Sequence, residues 1–122
     1  MSHIVTIAVE VRDLAAIQAA CKRLELAEPV FGKAQLFEKE IEGILVKLPD
    51  WMFPVVCDLP TGKIHYDNYQ GHWGDQKQLD KFVQTYSIEK TTLEARRKGY
   101  SVSEQPLNDG SIKLTISLGG AA

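Results

Sequence analysis

Apolar and other residues alternate from position 3 to position 11. Val5, Ile7, Val9 and Val11 fall on one side, and Ile4, Thr6, Ala8 and Glu10 on the other. A period of two predicts a β-strand with one strongly apolar face. The period then changes. Leu14, Ile17, Cys21 and Leu24 recur at offsets of 3, 4 and 3, which puts them on one face of a helix of about three turns. Asp13 stands ahead of it as an N-cap whose carboxylate can accept from orphan backbone N–H groups. Lys22 and Arg23 fall in its last turn, where cations suit the negative end of the helix dipole.

Pro29 and Gly32 punctuate residues 25–40, with a short strand expected over 34–37. Residues 41–48 read more firmly. Ile44, Val46 and Leu48 alternate with Gly43, Leu45 and Lys47, apolar enough on both faces for a central strand. Pro49-Asp50 ends it. Residues 54–58 and 63–67 flank Leu59-Pro60-Thr61-Gly62, so 54–67 reads as a β-hairpin. After a loop over 69–74, Asp75 caps a long helix with Gln78 at the third helical position, a capping-box spacing. Leu79, Phe82, Val83, Tyr86 and Leu93 form its single apolar face, with a break expected near Ser87. Arg96-Arg97-Lys98 and Gly99 close it. Residues 100–118 form a hairpin about Asp109-Gly110, a pair that tight turns favour. The fold class is therefore α+β, in the order β-α-β-β-β-β-α-β-β. It is a mostly antiparallel sheet covered on one face by two helices, ending in a C-terminal β-hairpin. One domain over 1–118 and a flexible tail over 119–122 follow.

Composition narrows the function classes. The chain has 122 residues, 44% hydrophobic and 25% charged, enough apolar material for a core without staples. The formal net charge of −2 argues against a nucleic-acid binder, which carries a basic stripe. No secretory leader pattern and no apolar run of membrane-spanning length stand out, so a cytoplasmic protein with no membrane partner is expected. Cys21 and Cys57 sit in no metal or redox spacing and read as reduced core thiols.

The search for chemistry returns little. No glycine-rich phosphate loop is present. Gly119-Gly120 resembles a ubiquitin-like terminus only if Ala121 and Ala122 were removed. Of the three histidines only His65 and His72 are near each other, where Asp58 and Asp67 could join them, and they lack a metal-site spacing. Cys57 and His65, placed symmetrically about Thr61, are candidates to face each other across the hairpin as nucleophile and base. Glu38, Glu40 and Glu42 read as a solvated edge. No catalytic set, metal or cofactor is assigned. The unusual stretch is 66–75. It brings Tyr66, Asp67, Tyr69, His72 and Trp73 together in one loop that enters a helix, a mixture of amphipathic rings and polar groups common at binding surfaces. His3, at the outer end of the first strand, is a further candidate beside His72. Arg96, Arg97 and Lys98 read as compensation of the helix dipole.

The chain also resembles a family of unknown function, the one that includes the hypothetical chloroplast reading frame 35 proteins of plastids and cyanobacteria. The resemblance rests on Met1-Ser2-His3-Ile4, on Val11-Arg12-Asp13-Leu14, on Val55-Val56-Cys57-Asp58 and on Gln84-Thr85-Tyr86. It is most specific in Lys98-Gly99-Tyr100-Ser101-Val102-Ser103-Glu104-Gln105 and Asp109-Gly110-Ser111-Ile112-Lys113-Leu114. Leu118-Gly119-Gly120 stands where family members often carry an Arg-Trp pair, and residues 25–54 match poorly. No catalytic residues come with the family. The expectation is a non-enzymatic binding or accessory protein that acts through a protein partner or a copy of itself. The alternatives are a metal- or ligand-dependent enzyme using His3, His65, Asp67 and His72, and a nucleic-acid accessory factor using Arg96, Arg97 and Lys98.

Overall fold

The structure, a computed structural model, describes residues 4–7, 10–36 and 39–118. Its elements run β1 (Ile4–Ile7), α1 (Leu14–Arg23), β2 (Val30–Leu36), β3 (Lys39–Val46), β4 (Val55–Asp58), β5 (Lys63–Asp67), α2 (Gln76–Arg97), β6 (Ser101–Pro106) and β7 (Ile112–Ser117). This is the α+β order expected from the pattern. Five strands form one antiparallel sheet in the order β1-β5-β4-β3-β2, and β6 and β7 pair separately as the closing hairpin.

The helices begin and end where local chemistry directs. The Asp13 carboxylate accepts from the N–H groups of Ala15 and Ala16, and the Asp75 carboxylate from that of Lys77, which satisfies orphan donors at both starts. At the end of α2, Gly99 takes φ +79°. Tyr100 N donates to Ala95 O and Gly99 N to Arg96 O, the double closure that a left-handed glycine permits. The expected break near Ser87 does not occur. Its hydroxyl donates to Val83 O at 3.0 Å inside one continuous helix.

The main core lies between the sheet and the helices. Ile17 and Ala20 of α1, Leu79 and Phe82 of α2, and Val55 and Ile64 of the sheet are all fully buried there. Burying each large side chain stabilises by roughly 1.5–3 kcal/mol before entropy is counted. A smaller cluster of Ala34, Leu36 and Val56 covers part of the opposite face, with Ile41, Leu45 and Phe53 against it.

Two expectations need correction. β2 is seven residues long, not a short strand over 34–37. Gly32, read as a break, sits inside β2 opposite Gly43 of β3. A Cβ on Gly43 would lie 2.6 Å from the Cys57 carbonyl oxygen and 2.8 Å from Val56 Cγ1, so glycine here serves close approach of strands. Second, α2 buries more than one stripe. Thr85, Ile88, Thr92 and Ala95 are buried beside the Leu79, Phe82 and Tyr86 face. The hairpin lies against α2 on that further side, where Gln84 Nε2 donates to Gly110 O at 3.1 Å. Arg23 of α1 pairs with Glu89 of α2 and Glu104 of β6, joining both helices to the hairpin.

Candidate functional site

The loop between β5 and α2 is a short turn closed by its own backbone. Gly71 N and Trp73 N both donate to Asn68 O, and His72 N donates to Tyr69 O. Tyr69 and Gln70 take φ +45° and +53°, and Gly71 follows at +96°. Left-handed turn positions suit Asn, Asp and Gly. Placing Tyr and Gln there costs roughly 1–2 kcal/mol per residue. Several bonds hold the turn in place. Asn68 Nδ2 donates to Gly74 O at 3.3 Å and to Gln76 Oε1 at 3.2 Å. Met52 N donates to Trp73 O at 2.8 Å, stapling the 49–54 connection to this loop.

That staple assembles a surface. Trp73 meets Phe53 edge-on, with centroids 5.6 Å apart. Tyr69 leans on Trp73 at 4.8 Å and on His72 at 4.9 Å. Tyr69 is 39% exposed and neighbouring Met52 60%. The result is a cluster of rings from two loops, with the exposed Met52 tied beside it through its backbone. Sequence reading missed Met52 and Phe53. Their signal was three large apolar residues in a row, Trp51-Met52-Phe53, in a connection that begins Pro49-Asp50.

The other candidates part company. Tyr66 is a core residue, edge-on to Trp51 at 5.8 Å, with its hydroxyl 3.4 Å from Gln76 Oε1. Asp67 is completely buried at the end of β5. Its Oδ1 accepts from Tyr69 N at 3.3 Å, and its Oδ2 has no hydrogen-bond partner. His3 lies outside the described residues. His65 pairs with Val56 and Cys57 with Ile64, so Cys57 and His65 point to opposite faces of the sheet, and the candidate nucleophile–base pair is not formed. The turn centres one half-residue earlier than symmetry about Thr61 requires, and a strand changes face at every residue.

The electrostatics agree. Burial pushes the Cys57 thiol up to about 12, with Cys21 adding, and pushes the Cys21 thiol up to about 11. Both thiols are free and buried, the inert kind. Burial lowers the His65 pKa; Asp58 opposes the shift, and Lys39 and Lys63 add to it. Among the described residues no group of three or more His, Cys, Asp or Glu is placed to hold a metal. Arg96, Arg97 and Lys98 are exposed at the end of α2. Among the described residues no helix is long and apolar enough to cross a membrane.

Two further surfaces deserve description. Among the described residues β2 is the last strand of its sheet, with Val30 and Phe31 exposed. A cleft of about 510 Å³ runs between the end of α2 and β7, lined by Lys90, Ala95, Tyr100, Ile116 and Leu118 among others. Comparison of the chain with protein-family models, curated proteins and solved structures finds no match.

Proposed function

We propose that this protein is a binding or accessory module that docks a protein partner on the patch formed by Met52, Phe53, Tyr69, His72 and Trp73. The observation that carries this reading is the ring cluster at the surface, presented on a strained left-handed turn. Rings of this kind supply large contact area at low entropy cost and concentrate binding energy. Backbone strain is retained at functional sites when the surroundings enforce it. The buried thiols, and the lack of a converging ligand set among the described residues, favour binding over catalysis. The resemblance of the closing hairpin to a family without assigned chemistry is compatible with that choice.

The test is recovery of a stoichiometric partner by the tagged protein from native lysate, beside Tyr69→Ala and the Tyr69→Ala/Trp73→Ala double variant. Truncating a central aromatic anchor costs about 2 kcal/mol, near thirtyfold in affinity. Loss of the partner with circular dichroism unchanged supports the reading. Equal recovery by all three proteins refutes it.

A further inference from the structure

We propose that the same loop recognises a guanidinium group, the arginine side chain of a partner, which seats against Tyr69, His72 and Trp73 and pairs with Asp67. This rests on the reading of the loop as a docking surface and names the chemistry it selects. Asp67 is the decisive residue. Its side chain is fully buried, its Oδ1 is held against the loop by Tyr69 N, and its Oδ2 has no hydrogen-bond partner. Buried polar atoms are nearly always satisfied, and an exception calls for an explanation. No lysine or arginine lies between 66 and 75, and none of the ion pairs among the described residues involves Asp67. Among the described residues nothing supplies the missing donor, and the proposal assigns it to a partner.

The neighbours select its kind. A metal ion would need more ligands than converge here. The rings of Tyr69 and Trp73, 4.8 Å apart and tilted by 55°, offer faces that attract cations. A guanidinium is planar, stacks on such faces and is more weakly hydrated than an ammonium, so it gives up less water on reaching a buried acid. Asp67 is fully buried and tied to the loop through Tyr69 N, so the proposal has residues 69–73 lift to admit the donor. That is the segment whose backbone is left-handed at three consecutive positions, so opening it releases local backbone strain.

The experiment titrates the full chain with N-acetyl-arginine amide, with N-acetyl-lysine amide and matched sodium chloride as comparisons. Amide NMR shifts of residues 67–73 and tryptophan fluorescence report binding. The expected result is a saturable shift with the arginine probe, weakened about tenfold in Asp67→Asn, as loss of one charge-assisted hydrogen bond implies. Asn keeps an acceptor for Tyr69 N. If that variant does not fold, Tyr69→Ala serves instead and should weaken the probe severalfold. No saturable shift, equal affinity in Asp67→Asn or in Tyr69→Ala, or a preference for the lysine probe overturns the assignment. If the arginine probe fails while Tyr69→Ala still releases the protein partner, the guanidinium assignment falls and the docking surface stands.

Discussion

Gly74 offers the sharpest test of how this loop is built. It is buried, and a Cβ placed on it would fall within 2.7 Å of Cδ2, Cε2 and Cγ of the Trp51 indole. Ordinary contact begins near 3.4 Å, so in Gly74→Ala the ring has to retreat by about 1 Å, in the range of overpacking changes that cost roughly 1–3 kcal/mol. The ring is not free to do so. Its Nε1 donates to Asp75 O at 3.1 Å, its edge meets Tyr66, and it packs against the main core. Moving it forfeits a hydrogen bond worth about 1 kcal/mol and an aromatic contact worth about 0.5–1.5 kcal/mol. These losses overlap, so we expect a net destabilisation of about 3 kcal/mol. Urea unfolding followed by tryptophan fluorescence reads it. With a slope of roughly 1–3 kcal/mol per M, the midpoint should fall by about 1–3 M. Gly71→Ala is the control. Gly71 has φ +96° and nothing within 4 Å of the added methyl, so only backbone strain of about 1 kcal/mol applies. If Gly74→Ala costs no more than Gly71→Ala, close packing of Trp51 on Gly74 does not organise this loop.

Two other outcomes are expected. Burial raises the pKa of Asp13, but hydrogen bonds from Lys90 and from the N–H groups of Ala16 and Ala15 outweigh it and hold the carboxyl below its ordinary 3.8. A depressed folded pKa gives stability that is present above the unfolded value and is lost as pH falls through the folded one. Melting temperatures at about pH 5 and about pH 2.5 should therefore drop more in the wild type than in Asp13→Asn; equal drops would show that the cap and its lysine do not carry acid sensitivity. Self-association through the open edge of β2 predicts a concentration-dependent dimer in sedimentation that Phe31→Lys makes monomeric, because a charge on an edge strand opposes pairing. A wild type that stays monomeric at every concentration excludes that role for the edge.

Where chain-local chemistry decides, the fold was legible. Asp13 and Asp75 cap as their positions imply, Gly99 ends α2, and Gly110 takes the left-handed turn that Asp109-Gly110 announces. What escaped depends on neighbours distant in sequence. Gly32 reads as a break until Gly43 is found opposite it. The second buried stripe of α2 is written in Thr85, Thr92 and Ala95, residues that carry little apolar signal without a hairpin to cover them. At the site, the sequence marked Tyr69, His72 and Trp73 by their density, but it swept Tyr66 in with them. A residue's face cannot be known before the end of β5 is fixed. Met52 and Phe53 join the patch through the bond from Met52 N to Trp73 O and the edge-on contact of Phe53 with Trp73.

The distribution of broken rules is itself an argument about function. Single exceptions are scattered: Thr92 Oγ1 in α2 is buried without a partner, and Glu25 and Asp50 take positive φ. Local preference and tertiary packing agree at the helix caps. Around residues 67–71 they disagree in three independent ways: bulky residues in left-handed conformations, a buried carboxyl oxygen without a donor, and aromatic rings left at the surface. Each is unfavourable for folding. Such concentrations of local cost are expected where a sequence answers to something besides its own stability. A donor that reached Asp67 and rings that covered Tyr69 would relieve two of the three at once. Stabilising replacements at this loop, Gln70→Gly among them, should therefore raise stability while leaving that demand unmet.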